Sequence, residues 1–270
     1  SSKMSSSGIP TELRGRFLEK SLYPLSFREF LLFKDYIFKM ENIDYSEKEK
    51  ALIINLLNEY LEYGGLPEIA LSDEPIKVEI AKSYFQTIVK KDIVESHKIK
   101  NEEALKALLR LLLNSQKYTR NNTYNNLKSM QYVVGKGTLQ SYLSHIEETY
   151  FMFSLPIFSY KIKEQSQYAK KCYFIDNIFI SKLSGNMAKN KGRLYENSVA
   201  IELKRRYETF CYWENARNQE VDFVVIDKNK VSQIIQVCYD LSNFETKKRE
   251  IRSALQASKE LTCTDILIIN

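Results

Sequence analysis

Two stretches, GRLYENSVAIELKRR (192–206) and YWENARNQEVDFVVIDKNKVSQIIQVCYD (212–240), leave few folds open to this chain. In the first, Leu194, Val199 and Leu203 recur at helical spacing, so a helix carries Glu196. The second alternates apolar and polar residues on either side of the turn Asp227-Lys228-Asn229-Lys230, which reads as two strands of a hairpin. Pleating puts Glu220 and Asp222 on one face of the first strand and Val221 and Phe223 on the other; Gln236 and Cys238 share a face of the second.

A helix carboxylate facing Asp222 and Gln236 on adjacent strands makes an oxygen-rich set suited to a hard divalent cation, Mg²⁺ or Mn²⁺. Such an ion activates water and steadies a charged phosphate, the chemistry of a phosphodiesterase. The helix Glu, the Val221-Asp222-Phe223 strand and the Ile235-Gln236-Val237 strand resemble the PD-(D/E)XK nuclease fold. That resemblance implies a Glu-x-Lys or Gln-x-Lys triplet on the third strand, its lysine steadying the attacking water. Here the triplet is Gln236-Val237-Cys238, with a thiol where the ammonium belongs. With Glu196 and Asp222 as the two formal carboxylates, metal would be held weakly. The expectation is a degenerate, inactive site at Glu196, Asp222 and Gln236, with Lys247 and Lys248 as the nearest replacement cations.

The 270 residues and 44% hydrophobic content suffice for two or three packed domains. No run of eighteen apolar residues occurs and SSKMSSSGIP has no signal core, so the expectation is a cytoplasmic protein without membrane contact. Cys172, Cys211, Cys238 and Cys263 are dispersed, with only His97 and His145 to join them, which argues against zinc and for buried, reduced thiols. Both histidines read as structural. Between Lys161 and Arg193 eight basic residues face Glu164 and Asp176, a surplus equal to the +6 of the whole chain. Clustered cations of this kind release counterions from nucleic acid, so Lys161, Lys163, Lys170 and Lys171 are the candidate DNA contacts.

Near the N-terminus, Leu13-Arg14-Gly15-Arg16 follows a Ser-rich loop, and a strand is expected over Arg16 to Leu22. Then comes YPLSFREF (23–30), where Ser26 and Glu29 form a capping box. Together with YLEYGGLPE (60–68) and the C-terminal stretch, these motifs resemble a family of bacterial and archaeal AAA+ ATPases that end in a conserved domain of unknown function; the resemblance covers essentially the whole chain. It implies that the Walker strands lie upstream of Ser1, that the full-length protein uses ATP and Mg²⁺, and that Arg14 or Arg16 senses the nucleotide. The chain itself carries no phosphate loop. In Val134-Gly135-Lys136-Gly137-Thr138, Met130 stands where the first glycine belongs and Gly137 where a Mg²⁺-binding hydroxyl belongs.

Helices are expected from Ser46 to about Tyr63, from Pro75 with Ile76, Ile80, Tyr84 and Ile88 as its apolar face, and after Asn101 with Leu105, Leu108, Leu109 and Leu112. A polar turn over 114–126, a shorter helix near Leu127 and a helix capped by Thr138 follow. With β-prone stretches at Phe151–Lys161 and Lys170–Ile175, these read as a winged helix-turn-helix, presenting Gln140, Ser141, Ser144 and His145 outward. Tyr212 and Trp213 are expected in the core. The full expectation is a multidomain chain of mixed α/β and α class: 1–72 the end of an AAA+ core and its helical lid, 73–185 a winged helix, 186–270 a PD-(D/E)XK-like α/β domain. It would bind DNA or a protein partner as a monomer or dimer, with catalysis upstream. The alternatives are a working Mg²⁺ or Mn²⁺ nuclease using a lysine from elsewhere, and a protein-interaction module.

Overall fold

A computed structural model describes residues 20–37, 46–161, 165, 167–185 and 191–270. Arg14, Arg16, Lys163 and most of the strand expected over 16–22 lie outside the described residues; Lys20 to Leu22 form no strand. The chain divides into two compact units, residues 1–114, 120–153 and 174–187 in the first, 115–119, 154–173 and 188–270 in the second.

The first unit opens with α1 (Phe27–Phe33) and α2 (Glu47–Tyr63). Both begin in full capping boxes, Ser26 with Glu29 and Ser46 with Glu49, each satisfying two N–H groups that a helix start leaves orphaned. Phe27 and Phe30 pack on Tyr60, ring centroids 5.4 and 5.3 Å away, and the Tyr60 hydroxyl donates to the Leu25 carbonyl at 2.9 Å. α2 stops at Gly64, whose φ of +77° suits a residue without Cβ. A Cβ there would lie 1.6 Å from Asp176 Oδ1. That carboxylate accepts from Gly65 N at 2.7 Å and from Ile178 N at 3.0 Å, so one buried group joins the end of α2 to the start of α8 (Asn177–Leu183).

α3 (Pro67–Leu71) leads into α4 (Glu74–Thr87). The buried residues of α4 are Lys77 and Ala81; of the expected apolar face, Ile76 is exposed while Ile80, Tyr84 and Ile88 are half-buried. Lys77 survives burial because it pairs with Glu59 and lies 4.7 Å from the Tyr63 ring centroid. α4 widens into a π-helical segment, Ile88–Glu95. Next comes α5 (Glu102–Leu113), capped by Asn101, with Leu105, Leu108, Leu109 and Leu112 all buried as expected. The Asn-rich stretch is not a turn throughout. α6 runs over Arg120–Ser129, burying only Thr123 and Leu127. α7 (Lys136–Glu148) starts at its Gly135 cap, ahead of the Thr138 cap expected.

The second unit contains β1 (Lys117–Tyr118), the latter half of β2 (Met152–Leu155) and nearly all of β3 (Lys170–Phe174), strands of a sheet ordered β1-β3-β2. It continues with α9 (Lys191–Arg206), β4 (Phe210–Glu214), β5 (Glu220–Asp227), β6 (Lys230–Val237), α10 (Phe244–Leu261) and β7 (Ile266–Ile269). The sheet order is β4-β5-β6-β7, antiparallel except for the parallel β6–β7 pair that the α10 crossover permits. Lys228 and Asn229, at φ 49° and 61°, form the two-residue turn between β5 and β6. Ala257 and Leu261 of α10 close over Trp213, Val221, Val224 and Ile234. Tyr212, Trp213 and all four cysteines are buried.

Candidate functional site

The strand alternation read from the sequence fails beside Asp222, and that irregularity builds the site. Two steps on β4, Cys211 to Trp213, are matched by three on β5, Val224 to Val221, so β5 carries an extra residue beside Asp222. A bulge of this kind re-aims side chains. Val221 therefore packs with Trp213 and Val224, while Phe223 turns to the opposite side and meets Tyr173 and Phe210, at centroid distances of 5.6 and 6.1 Å. Phe223 and Val221 do not share a face.

Glu196 and Asp222 converge on Lys171 of β3, and Gln236 joins them through the backbone of Asp222. Its ammonium lies 2.8 Å from Glu196 Oε1, 2.8 Å from Asp222 Oδ1 and 2.7 Å from Glu220 Oε1. Tyr173, two residues along the same strand, donates its hydroxyl to Glu196 Oε1 at 2.6 Å. The second oxygen of Asp222 accepts from Val237 N at 3.0 Å. Gln236 Oε1 accepts from Asp222 N at 3.3 Å, and its amide donates to Glu250 at 2.6 Å. Gln236 is thus bonded on both sides to protein. Lys117, paired with Lys171 in the β1–β3 ladder, bonds Glu214 and Glu220 and stands 4.7 Å from the Tyr212 ring centroid.

Lys171 is 3% exposed. Burial works against its charge, but Tyr173, Asp222, Glu196 and Glu220 outweigh it and hold the pKa well above that of an ordinary lysine. Burial likewise opposes ionisation of Glu220, and Lys171 and Lys117 overcome it, so that carboxyl sits below its usual value. Asp222 is pushed up to about 6, chiefly by burial and against the pull of Lys171. The ammonium occupies the point where the three carboxylates meet, which is where a divalent ion bound by them would have to sit.

The sequence places Lys171 on a DNA-facing wing; it is buried and neutralised instead, because its strand runs beside the carboxylates. Lys161 is exposed and Lys170 half-buried. Lys247 and Lys248, the expected substitutes for the missing motif lysine, line an open groove on the outer side of α10 with Phe244, Ile251 and Leu255. The ammonium at the site therefore comes from β3, a source that no spacing within 192–240 announces. Among the described residues no helix is long and apolar enough to cross a membrane.

The fold is of mixed α/β class with two small sheets. Residues 54–190, half of the chain, match the family described as a domain of unknown function, DUF8612, and the chain belongs to that family. Residues 191–268 match a second domain of unknown function, DUF4143. An uncharacterized protein of Methanocaldococcus jannaschii, MJ1544, is 39% identical over 98% of this chain and 59% of its own length. An uncharacterized protein of Haemophilus influenzae is 28% identical over 86% of this chain and 56% of its own. The chain thus spans less than two thirds of either relative. No solved structure matches it.

Proposed function

We propose that this chain is the non-hydrolytic, DNA-holding part of an ATPase-linked protein, in which a winged helix binds the duplex and a nuclease-like domain has lost metal-dependent cleavage. The observation that carries the reading is the Lys171 ammonium within 2.7–2.8 Å of Glu196, Glu220 and Asp222. A monovalent cation built into the chain satisfies the carboxylates that would otherwise recruit Mg²⁺, and binding metal there would mean expelling a buried ammonium. The order α9-β4-β5-β6-α10-β7 supports a PD-(D/E)XK-like domain. The order α5-β1-α6-α7-β2-β3, with strands arranged β1-β3-β2, supports the winged helix. DUF4143 is often found with AAA-type ATPase domains, which supports the link to ATP hydrolysis upstream.

One observation favours a second reading. Lys171 lies 2.8 Å from Asp222 Oδ1 and so supplies the ammonium that Gln236-Val237-Cys238 lacks, which would suit a working nuclease if metal displaced its ion pairs. Incubating the purified chain with supercoiled DNA and Mn²⁺, beside an Asp222→Ala control, separates the two: the first reading expects intact DNA in both. Retardation of a duplex across salt concentrations tests the holding role. Affinity that falls steeply with salt supports it; no shift, or a salt-independent one, leaves a protein-interaction module as the better account.

A further inference from the structure

We infer that His97, His145 and Glu148 form a zinc site that fastens the end of the π-helical segment to α7. The site lies within the first unit, shares no residue with the Lys171 cluster, and does not depend on the nuclease-like reading. His145 and Glu148 stand one helical turn apart on α7, so both project to the same side. His97 arrives two residues past Ile88–Glu95, where the wider π turn changes the side-chain register; such turns recur at functional sites. Lys98, at φ 51°, then turns the chain away.

The two imidazoles stack with centroids 3.7 Å apart and planes 19° from parallel. His97 Nε2 and His145 Nδ1 each lie 3.6 Å from the same Glu148 oxygen, and the three ligand atoms fall within 4.8 Å of one another. Tetrahedral zinc with bonds of about 2.0–2.1 Å sets its ligands roughly 3.3–3.4 Å apart. Closing the difference means turning the two imidazoles out of their stack, so that both ring nitrogens point at one ion, and drawing the carboxylate in. His145 Nδ1 is buried with no hydrogen-bond partner, a state that costs free energy unless something meets its lone pair. Two imidazoles and one carboxylate suit a borderline ion such as Zn²⁺ better than Mg²⁺, and three protein ligands leave a fourth position for water or a partner's side chain. The carboxylate also offsets part of the dication's charge, since the imidazoles that bind it are neutral.

The test is titration of the chelator-stripped chain with ZnCl₂, followed by calorimetry and thermal unfolding, on the wild type, Glu148→Gln, His97→Asn and Asp222→Asn. Glu148 is exposed, so its isosteric change preserves the fold even where His97→Asn does not. Expected are one tight equivalent of Zn²⁺, a rise in melting temperature reversed by chelator, and tetrahedral d–d bands when Co²⁺ is substituted. Glu148→Gln should weaken binding at least by the ~10–100-fold that loss of an outer-sphere partner costs. Asp222→Asn should leave it unchanged. Absence of saturable binding, or binding that Glu148→Gln leaves intact, overturns the proposal, as does binding that disappears with Asp222→Asn.

Discussion

The ammonium of Lys171 and the carboxylate of Asp222 approach to 2.8 Å from strands 51 residues apart in sequence. Each is buried, and Asp222 relies on that ammonium to ionise at all, whereas Lys171 is held by Glu196 and Glu220 as well. Replacing Lys171 by Met leaves Glu196, Glu220 and Asp222 facing one another with no cation between them. The variant is expected to lose about 3–5 kcal/mol of unfolding free energy at neutral pH in urea titrations. The loss should shrink as the pH falls and the carboxyls take up protons.

The pH dependence has separable parts. Asp222, raised to about 6, binds its proton more tightly folded than unfolded, so its contribution to stability is complete at low pH and lost as the pH rises from about 4 to 6. Glu220, lowered, contributes in the opposite sense: present above its unfolded value and lost as the pH falls through the folded one. Lys171, raised, contributes fully below its unfolded pKa and loses that contribution only in strong alkali. An Asp222→Asn variant, which cannot ionise, should therefore gain on the wild type as the pH rises from about 4 to 6, by up to ~1.4 kcal/mol per pH unit. Chemical unfolding of both proteins at half-unit steps checks the sign.

Tyr173→Phe removes one hydroxyl and no carbon. The hydrogen bond it deletes is charge-assisted, 2.6 Å to Glu196 Oε1, so a cost of roughly 1.5–3 kcal/mol is expected by thermal or chemical unfolding.

Gly64→Ala places a methyl 1.6 Å from Asp176 Oδ1 at a backbone angle unfavourable to L-residues. Either α2 gives up its stop or Asp176 releases Gly65 N and Ile178 N. A loss of about 3 kcal/mol or more is expected, among the larger single-residue effects. Leu255→Ala, at an exposed position of α10, should stay within about 0.5 kcal/mol.

If the duplex is held electrostatically, Lys161→Gln and Lys170→Gln should each weaken binding across all sequences. Each should also lower the salt slope by about 1 for every phosphate that the lysine had neutralised. Retardation gels at several salt concentrations give the slope directly.

What the sequence discloses and what it withholds divide along physical lines. Ser26 with Glu29, Ser46 with Glu49, the leucines of α5 and the Lys228-Asn229 turn are local signals, each complete within a few residues, and each appears where the pattern places it. Glu196, Asp222 and Gln236 can be brought together because a helix and a hairpin fix their faces. α6 stays hidden because its buried face is only Thr123 and Leu127 among asparagines. The turn of Phe223 away from Val221 depends on a bulge that no residue type signals. Lys171 reads as a wing cation because nothing in its own strand reveals the three carboxylates opposite. His97 and His145 look solitary because a π turn and a second helix, far apart in the chain, have to meet before they stack.

The measurement that bears most directly on the occupied carboxylate site is Mn²⁺ stoichiometry by paramagnetic resonance, compared between the wild type and Asp222→Asn, with supercoiled DNA present as a reporter of cleavage. A site closed by Lys171 predicts equal Mn²⁺ counts in the two proteins and intact DNA in both. One additional Mn²⁺ in the wild type, accompanied by nicking that disappears with Asp222→Asn, would contradict it.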